Sequence, residues 1–152
     1  MLTYRVATEA DARDLAPRLR ESDRTEITLS SGPDNEKTLV ESVRLSVEAH
    51  CAVEDGKVIC LWGIGEQDCD GVPWMVASPE AMKHPKELVK RTRQIIKRWS
   101  RRYRLLYNMV HAENITTIRW LQSVGFTIGP IEPAYGVGKA PFHLFFIRKP
   151  YV

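Results

Sequence analysis

The chain has 152 residues, with 22 Lys and Arg against 19 Asp and Glu, 43% hydrophobic and 27% charged. That length suits one globular domain spanning 1–152, which buries roughly 70% of its unfolded surface and needs neither disulfide nor metal to fold. A net charge of +3 excludes a polyanionic tail and a histone-like basic protein, and no apolar run approaches the roughly 20 residues of a membrane-spanning helix.

Leu2 to Ala7 alternates apolar and polar residues and predicts a strand. The chain runs on into Glu9, Asp11, Arg13 and Asp14 without the apolar stretch of a secretory signal, so a cytoplasmic location is the expectation. Thr8-Glu9-Ala10-Asp11 reads as a capping box opening a helix that carries Leu15 and Leu19 on one face, with a kink at Pro17. The polar stretch from Ser22 to Asp34, which includes Ser30-Ser31-Gly32-Pro33, predicts a loop. A second helix from about Asn35 to Ala49 places Leu39, Val43 and Val47 on one face.

Cys51 to Glu54 and Lys57 to Ile64 form a hairpin about Asp55-Gly56. A two-residue turn there sets Glu54 opposite Lys57, Val53 opposite Val58, Ala52 opposite Ile59 and Cys51 opposite Cys60, so those thiols are expected to be cross-strand neighbours, reduced in a cytosol. The third cysteine, Cys69, completes no zinc-binding pattern, and no metal site is expected. Val72 to Ala77 is a further strand after the turn Asp68-Cys69-Asp70-Gly71. The longest helical pattern runs from Pro85 to about Tyr103, with Leu88, Ile95, Trp99 and Tyr103 on its core stripe. Leu105 to Val110 reads as a buried strand, Asn114 to Ser123 as a short helix stopped at Gly125, and Phe126 to Ile131 with Phe142 to Arg148 as a closing pair. This order predicts an α/β fold with a mixed, mostly antiparallel sheet and one parallel βαβ crossover through the long helix.

Between Lys83 and Arg104 lie ten basic residues and one acid, a segment of +9, which leaves 12 basic and 18 acidic residues, or −6, for the remainder. Lys86, Lys90, Arg93, Lys97 and Arg101 cluster opposite the apolar stripe, and their mutual repulsion points to an anionic partner. The phosphates of a cofactor at the helix N-terminus or a nucleic acid would both serve, although no aromatic residue interleaves on the basic face for base stacking.

The stretch Val110-His111-Ala112-Glu113-Asn114 through Trp120-Leu121-Gln122-Ser123-Val124-Gly125-Phe126 resembles the acetyl-CoA-binding half of the GCN5-related N-acetyltransferases (GNAT), whose pattern is strand, Asn, short helix and Gly-Phe. The element order agrees over nearly the whole chain. The resemblance implies a GNAT-like acyl-CoA N-acyltransferase fold, with acetyl-CoA held along Met75, Val76 and Ala77 and at Asn114. It also implies acceptor pockets built from variable loops, here Ser22–Asp34 and Pro133–Ala140. Two departures stand out. Where the family has its phosphate-binding glycines this chain has His84 and Lys86, leaving Lys83, His84 and Lys86 to hold phosphates by side chains, and the helix position of the family's tyrosine acid is Leu121. His111, at the end of its strand, is the candidate base, with Glu113 and Glu66 behind it.

Leu106-Tyr107-Asn108-Met109-Val110 and the Asn114 to Gly125 helix are also similar to the small internal virion proteins of short-tailed bacteriophages, which share the topology without the glycine loop. That resemblance implies a catalytically reduced phage or prophage protein acting in virion assembly among other virion proteins. An active N-acetyltransferase on an unknown amine and a nucleic-acid-binding module on the basic helix are the alternatives.

Overall fold

The structure, a computed structural model, describes residues 1–149. Seven strands form one mixed sheet: β1 (Thr3–Val6), β2 (Glu48–Glu54), β3 (Lys57–Gln67), β4 (Asp70–Ala77), β5 (Leu105–His111), β6 (Thr127–Tyr135) and β7 (Ala140–Arg148), in the order β1-β2-β3-β4-β5-β7-β6. The one parallel pair is β4 with β5, joined by the expected helical crossover. Three helices cover one face: α1 (Glu9–Leu15), α2 (Glu21–Ser31) and α3 (Asn35–Leu45). The other face carries α4 (Pro85–Arg102) and α5 (Ile115–Ser123).

The capping box forms as expected: Asp11 N–H donates to Thr8 Oγ1 at 3.4 Å and Thr8 N–H to the Asp11 carboxylate at 2.8 Å. Pro17 ends α1 outright, and the chain passes through a single 3-10 turn, Ala16–Arg18, that still buries Leu19. Leu88, Ile95 and Trp99 of α4, with Tyr103 just past its end, are all buried against the sheet.

Three expectations are corrected. The Ser22 to Asp34 loop is largely helix α2, stopped by Gly32. Its sequence carries no apolar stripe because its inward face is polar and contacts strand edges, as described below. The second helix ends at Leu45, not Ala49, because Val47 N–H pairs with Ile64 C=O at 2.8 Å and draws the chain into β2. The hairpin register holds at Glu54↔Lys57 and Val53↔Val58, then shifts at a β-bulge, so that Ala52 pairs with Cys60 and Cys51 with Leu61. Cys51 therefore packs with the α1–α3 side and Cys60 with the α4 side of the sheet, and they are not facing neighbours.

Candidate active site

β4 and β5 are in register only at Gly71↔Leu106. A Cβ on Gly71 would lie 2.7 Å from Leu106 Cδ2, so the missing side chain is what lets the strands meet there. Pro73 then removes an edge donor, and the Asn108 amide bridges the strands by donating to Pro73 C=O at 2.8 Å. Beyond that point the strands part, and each leaves backbone groups that a neighbouring strand would have taken.

α2 fills the gap with side chains. On the β4 lip, Ala77 N–H donates to Asp23 Oδ2 at 2.9 Å and Ala77 C=O accepts from Arg20 N–H at 2.8 Å. Arg20 grips the same Asp23 carboxylate with two bonds of 2.9 Å, and Asp23 is 2% exposed. On the β5 lip, His111 N–H donates to Glu26 Oε1 at 2.8 Å and the Asn114 amide donates to the same oxygen at 3.4 Å. Residues 20, 23 and 26 recur at three-residue spacing, so one face of α2 serves both lips. Met75 lies two residues before Ala77 on an alternating strand and turns its N–H and C=O into the gap.

Two cavities meet there. The first, of about 240 Å³, is lined by Glu26, Trp74, Met75, Thr117, Tyr135 and Phe142 among others. The second, of about 170 Å³, runs past Met75, Ala77, Met82, Leu88 and Thr117 toward the start of α4. Met75, Thr117 and Trp120 line both. The Thr117 hydroxyl is buried and, among the described residues, has no hydrogen-bond partner, which leaves a polar atom available to a ligand at the junction.

Glu26 is half-buried, and the part it leaves open faces the first cavity. Burial pushes its carboxyl up to about 7, and the His111 N–H bond pulls against that while Asp23 adds to it. A carboxylate with that value is poised to take protons near neutral pH. Burial also raises the Tyr135 phenol in the same cavity, so it stays a proton donor.

Neither a family model nor a curated protein sequence matches the chain. Solved structures do. A ribosomal-protein-alanine N-acetyltransferase from Brucella melitensis superposes with TM-score 0.70 at 18% identity, covering 97% of this chain and 99% of that one. A GNAT-family acetyltransferase from Streptococcus pneumoniae gives 0.66 at 18% identity over 97% and 99%. YncA of Salmonella typhimurium, solved with its cofactor acetyl-CoA, gives 0.67 at 17% identity over 97% and 93%. The fold is that of the GNAT acetyltransferases.

Within this GNAT fold the expected site residues scatter. His111 contributes its backbone N–H; its ring packs on Phe142 at 5.3 Å between centroids and lines neither cavity. Glu113 is exposed and also lines neither. Glu66 accepts from Tyr103 at 2.6 Å and Arg102 at 3.2 Å near the closed end of the strand pair. Asn114 caps α5 by accepting from Thr117 N–H at 3.4 Å, while its amide reaches Glu26. Met75 and Val76 line the first cavity and Met75 and Ala77 the second, and the edge groups of Ala77 are already taken by Asp23 and Arg20.

Lys83 and Lys86 are exposed at the 3-10 turn Pro79–Lys83 and the start of α4. His84 is turned away, its Nε2 2.7 Å from Glu54 Oε2. Pro85 opens α4 and the first intrahelical bond is Leu88 N–H to His84 C=O at 3.1 Å, so only Lys86 and Glu87 offer amides ahead of it. Several basic residues of α4 have internal partners: Arg98 with Glu48 at 3.1 Å, Arg102 with Glu66, Arg93 with Ser123 C=O at 2.8 Å, and Arg91 over the Tyr4 ring at 4.1 Å. Lys86, Lys90, Lys97 and Arg101 meet no acid among the described residues. No helix among the described residues is long and apolar enough to cross a membrane, and no cluster of metal-ligating side chains occurs among them.

Glu26 falls within the stretch that the sequence predicts as loop, and its one local signal is a carboxylate three residues from Asp23 and six from Arg20.

Proposed function

We propose that this protein is an acetyl-CoA-dependent N-acetyltransferase in which Glu26 is the general base. The observation that carries the reading is the Glu26 carboxylate, lifted to about 7 in the wall of the first cavity, which meets the second at Met75, Thr117 and Trp120 in a split GNAT sheet.

The second cavity fits the arm of a CoA thioester by its chemistry: its walls are largely apolar, an unpartnered hydroxyl lines it, and the exposed Lys83 and Lys86 are the chain neighbours of its lining residues Met82 and Pro85. Bound there, acetyl-CoA supplies an activated acetyl group, which an amine nitrogen takes up as the carbon–sulfur bond breaks and the thiol leaves. Glu26 accepts the proton that the incoming ammonium must lose, and the second proton displaced from nitrogen ends on the thiol. Met75 N–H is placed to polarise a carbonyl in the gap, and the Thr117 hydroxyl to donate toward the departing sulfur. Asn114 and His111 N–H hold Glu26 in position. Trp74, Phe142 and Phe145 give the first cavity apolar walls around an entering amine.

Thiol release from acetyl-CoA in the presence of small amines, followed between about pH 6 and 9, tests the reading. Release should rise with pH through about 7 and be lost in Glu26→Gln; no release with any amine, with no saturable acetyl-CoA binding by calorimetry, overturns it.

In a second reading the protein is catalytically reduced, which two observations favour: the phosphate turn has no glycine, and Asp23 and Arg20 occupy the Ala77 edge that an extended arm would use; a role in virion assembly rests on the sequence resemblance alone. This reading expects an absence of acetyl-CoA binding together with co-purification in phage particles.

A further inference from the structure

We propose that the acceptor is a small primary amine with one positive charge and an apolar, ring-bearing body, taken wholly into the first cavity, rather than a polyamine or the end of a protein chain. This rests on the acyl-transfer reading and names the substrate class of that site.

Four observations converge. Among the described residues Glu26 is the only carboxylate that lines the cavity, so one ammonium finds a counter-charge and a second along the same molecule does not. Trp74, Tyr135 and Phe142 supply aromatic faces, and the Trp74 indole is fixed by donating to Ser46 Oγ at 2.8 Å, a setting suited to a flat apolar body and to an ammonium over a ring. The volume of about 240 Å³ lies below the usual range of drug-sized pockets. Finally, backbone closes the side along which a peptide would extend. The tip of the β6–β7 hairpin docks on the C-terminal turn of α2, with Gly138 N–H donating to Leu29 C=O at 2.8 Å and Val137 N–H to Ser30 C=O at 3.4 Å. A Cβ on Gly136, which has a φ of +73°, would stand 2.6 Å from Ser30 Cα, so that residue permits the contact only as glycine; one on Gly138 would stand 2.9 Å from Leu29 Cδ2 and 3.2 Å from Leu29 Cα, which leaves no space for a branched side chain unless the tip shifts. Ser30 itself lines the cavity, which ties the closure to the site.

The test compares phenethylamine, spermidine and a hexapeptide with a free N-terminal alanine, using acetyl-CoA turnover together with calorimetric binding of each amine in the absence of acetyl-CoA. The expected result is a kcat/KM for phenethylamine about tenfold or more above both others, and phenethylammonium binding that is lost in Glu26→Gln. Gly138→Val, which pushes the tip off α2 without touching the base, should cut the preference for phenethylamine over the peptide about tenfold. Preferred turnover of spermidine or the peptide overturns the substrate class and leaves acyl transfer standing. Phenethylammonium binding that depends on Glu26, with no turnover of any amine, upholds the class while removing acyl transfer. Absence of both binding and turnover with phenethylamine, or an unchanged preference in Gly138→Val, overturns the proposal.

Discussion

α2 and α4 approach the sheet from opposite sides and are held to it by different forces. α4 presses Leu88, Ile95, Ile96 and Trp99 into an apolar cluster and leaves its basic side chains outside. α2 buries only Asp23 and Ile27, and turns Arg20, Asp23 and Glu26 onto backbone edges where β4 and β5 separate. Burying apolar area holds a helix at roughly 25 cal/mol per Å² without asking for any special chemistry. Satisfying strand edges with carboxylates is a different arrangement: it places ionisable groups in a poorly solvated gap, where their protonation becomes sensitive to anything that enters. α4 thus stabilises by ordinary packing, and α2 holds by charge and hydrogen bonds at the edges of the parted strands.

Experiments can break this contrast. The largest effect is expected at Glu26: Glu26→Gln keeps an acceptor for His111 N–H but cannot take a proton, so kcat should fall by about 10²–10⁴-fold and the rise in activity through about pH 7 should vanish. The same variant sharpens the stability side. The folded-state value of about 7 lies above the ordinary 4.5, so the folded chain binds the proton more tightly and the wild type loses stability as pH rises through that interval. About 2 kcal/mol of that loss, after allowing for the part of Glu26 open to the cavity, should be missing in Glu26→Gln when urea midpoints are compared at the two ends.

Asp23→Ala should destabilise by about 3 kcal/mol in denaturant titration, because it strips the partner from Arg20 and orphans Ala77 N–H together. A value under about 1 kcal/mol would mean that α2 is held by Ile27 and not by its polar face. Thr117→Val should divide two readouts: about tenfold lower kcat, with stability unchanged or slightly raised, since the hydroxyl it removes has no partner among the described residues. On α4, Lys83→Ala with Lys86→Ala should weaken acetyl-CoA binding by calorimetry about tenfold, whereas Lys97→Ala with Arg101→Ala, roughly 17–22 Å further along the helix, should leave it unchanged. Equal weakening by both pairs would show a diffuse anion-binding field, the behaviour expected of a nucleic-acid surface.

The smallest effect concerns the thiols. Cys69 is exposed, while burial first, and the Asp11 carboxylate second, push Cys51 up to about 11, and burial raises the Cys60 thiol further still. A thiol reagent should therefore label one cysteine in the native protein and three after denaturation. Labelling of two or more without denaturant would contradict the packing of β2 and β3.

Much of the frame was legible because it rests on local patterns. The recurrence of Leu88, Ile95, Trp99 and Tyr103 at spacings of seven and four specifies α4, Thr8 with Asp11 specifies the start of α1, and Asp55-Gly56 specifies the hairpin turn through its two positive φ angles, 51° and 76°. The order of those elements gave a mixed sheet with one parallel crossover, its likeness to the GNAT fold came from the resemblance carried by Asn114 to Gly125-Phe126, and the basic character of α4 came from counting charges. The bulge after Val53 carried no such mark; it is decided by which residues each face of the sheet must bury.

What the sequence alone determined is thus the set of elements whose identity is written in apolar periodicity and turn chemistry, together with a +9 segment on one helix and an acidic remainder. What the tertiary structure decided is where polar groups are needed. Glu-Ser-Asp-Arg-Thr-Glu from Glu21 to Glu26 reads as solvated loop until β4 and β5 part above Gly71 and leave Ala77 and His111 with backbone groups that require partners. Nothing local to residues 21–26 records that need, because it is created by two strand edges roughly 50 and 85 positions away along the chain.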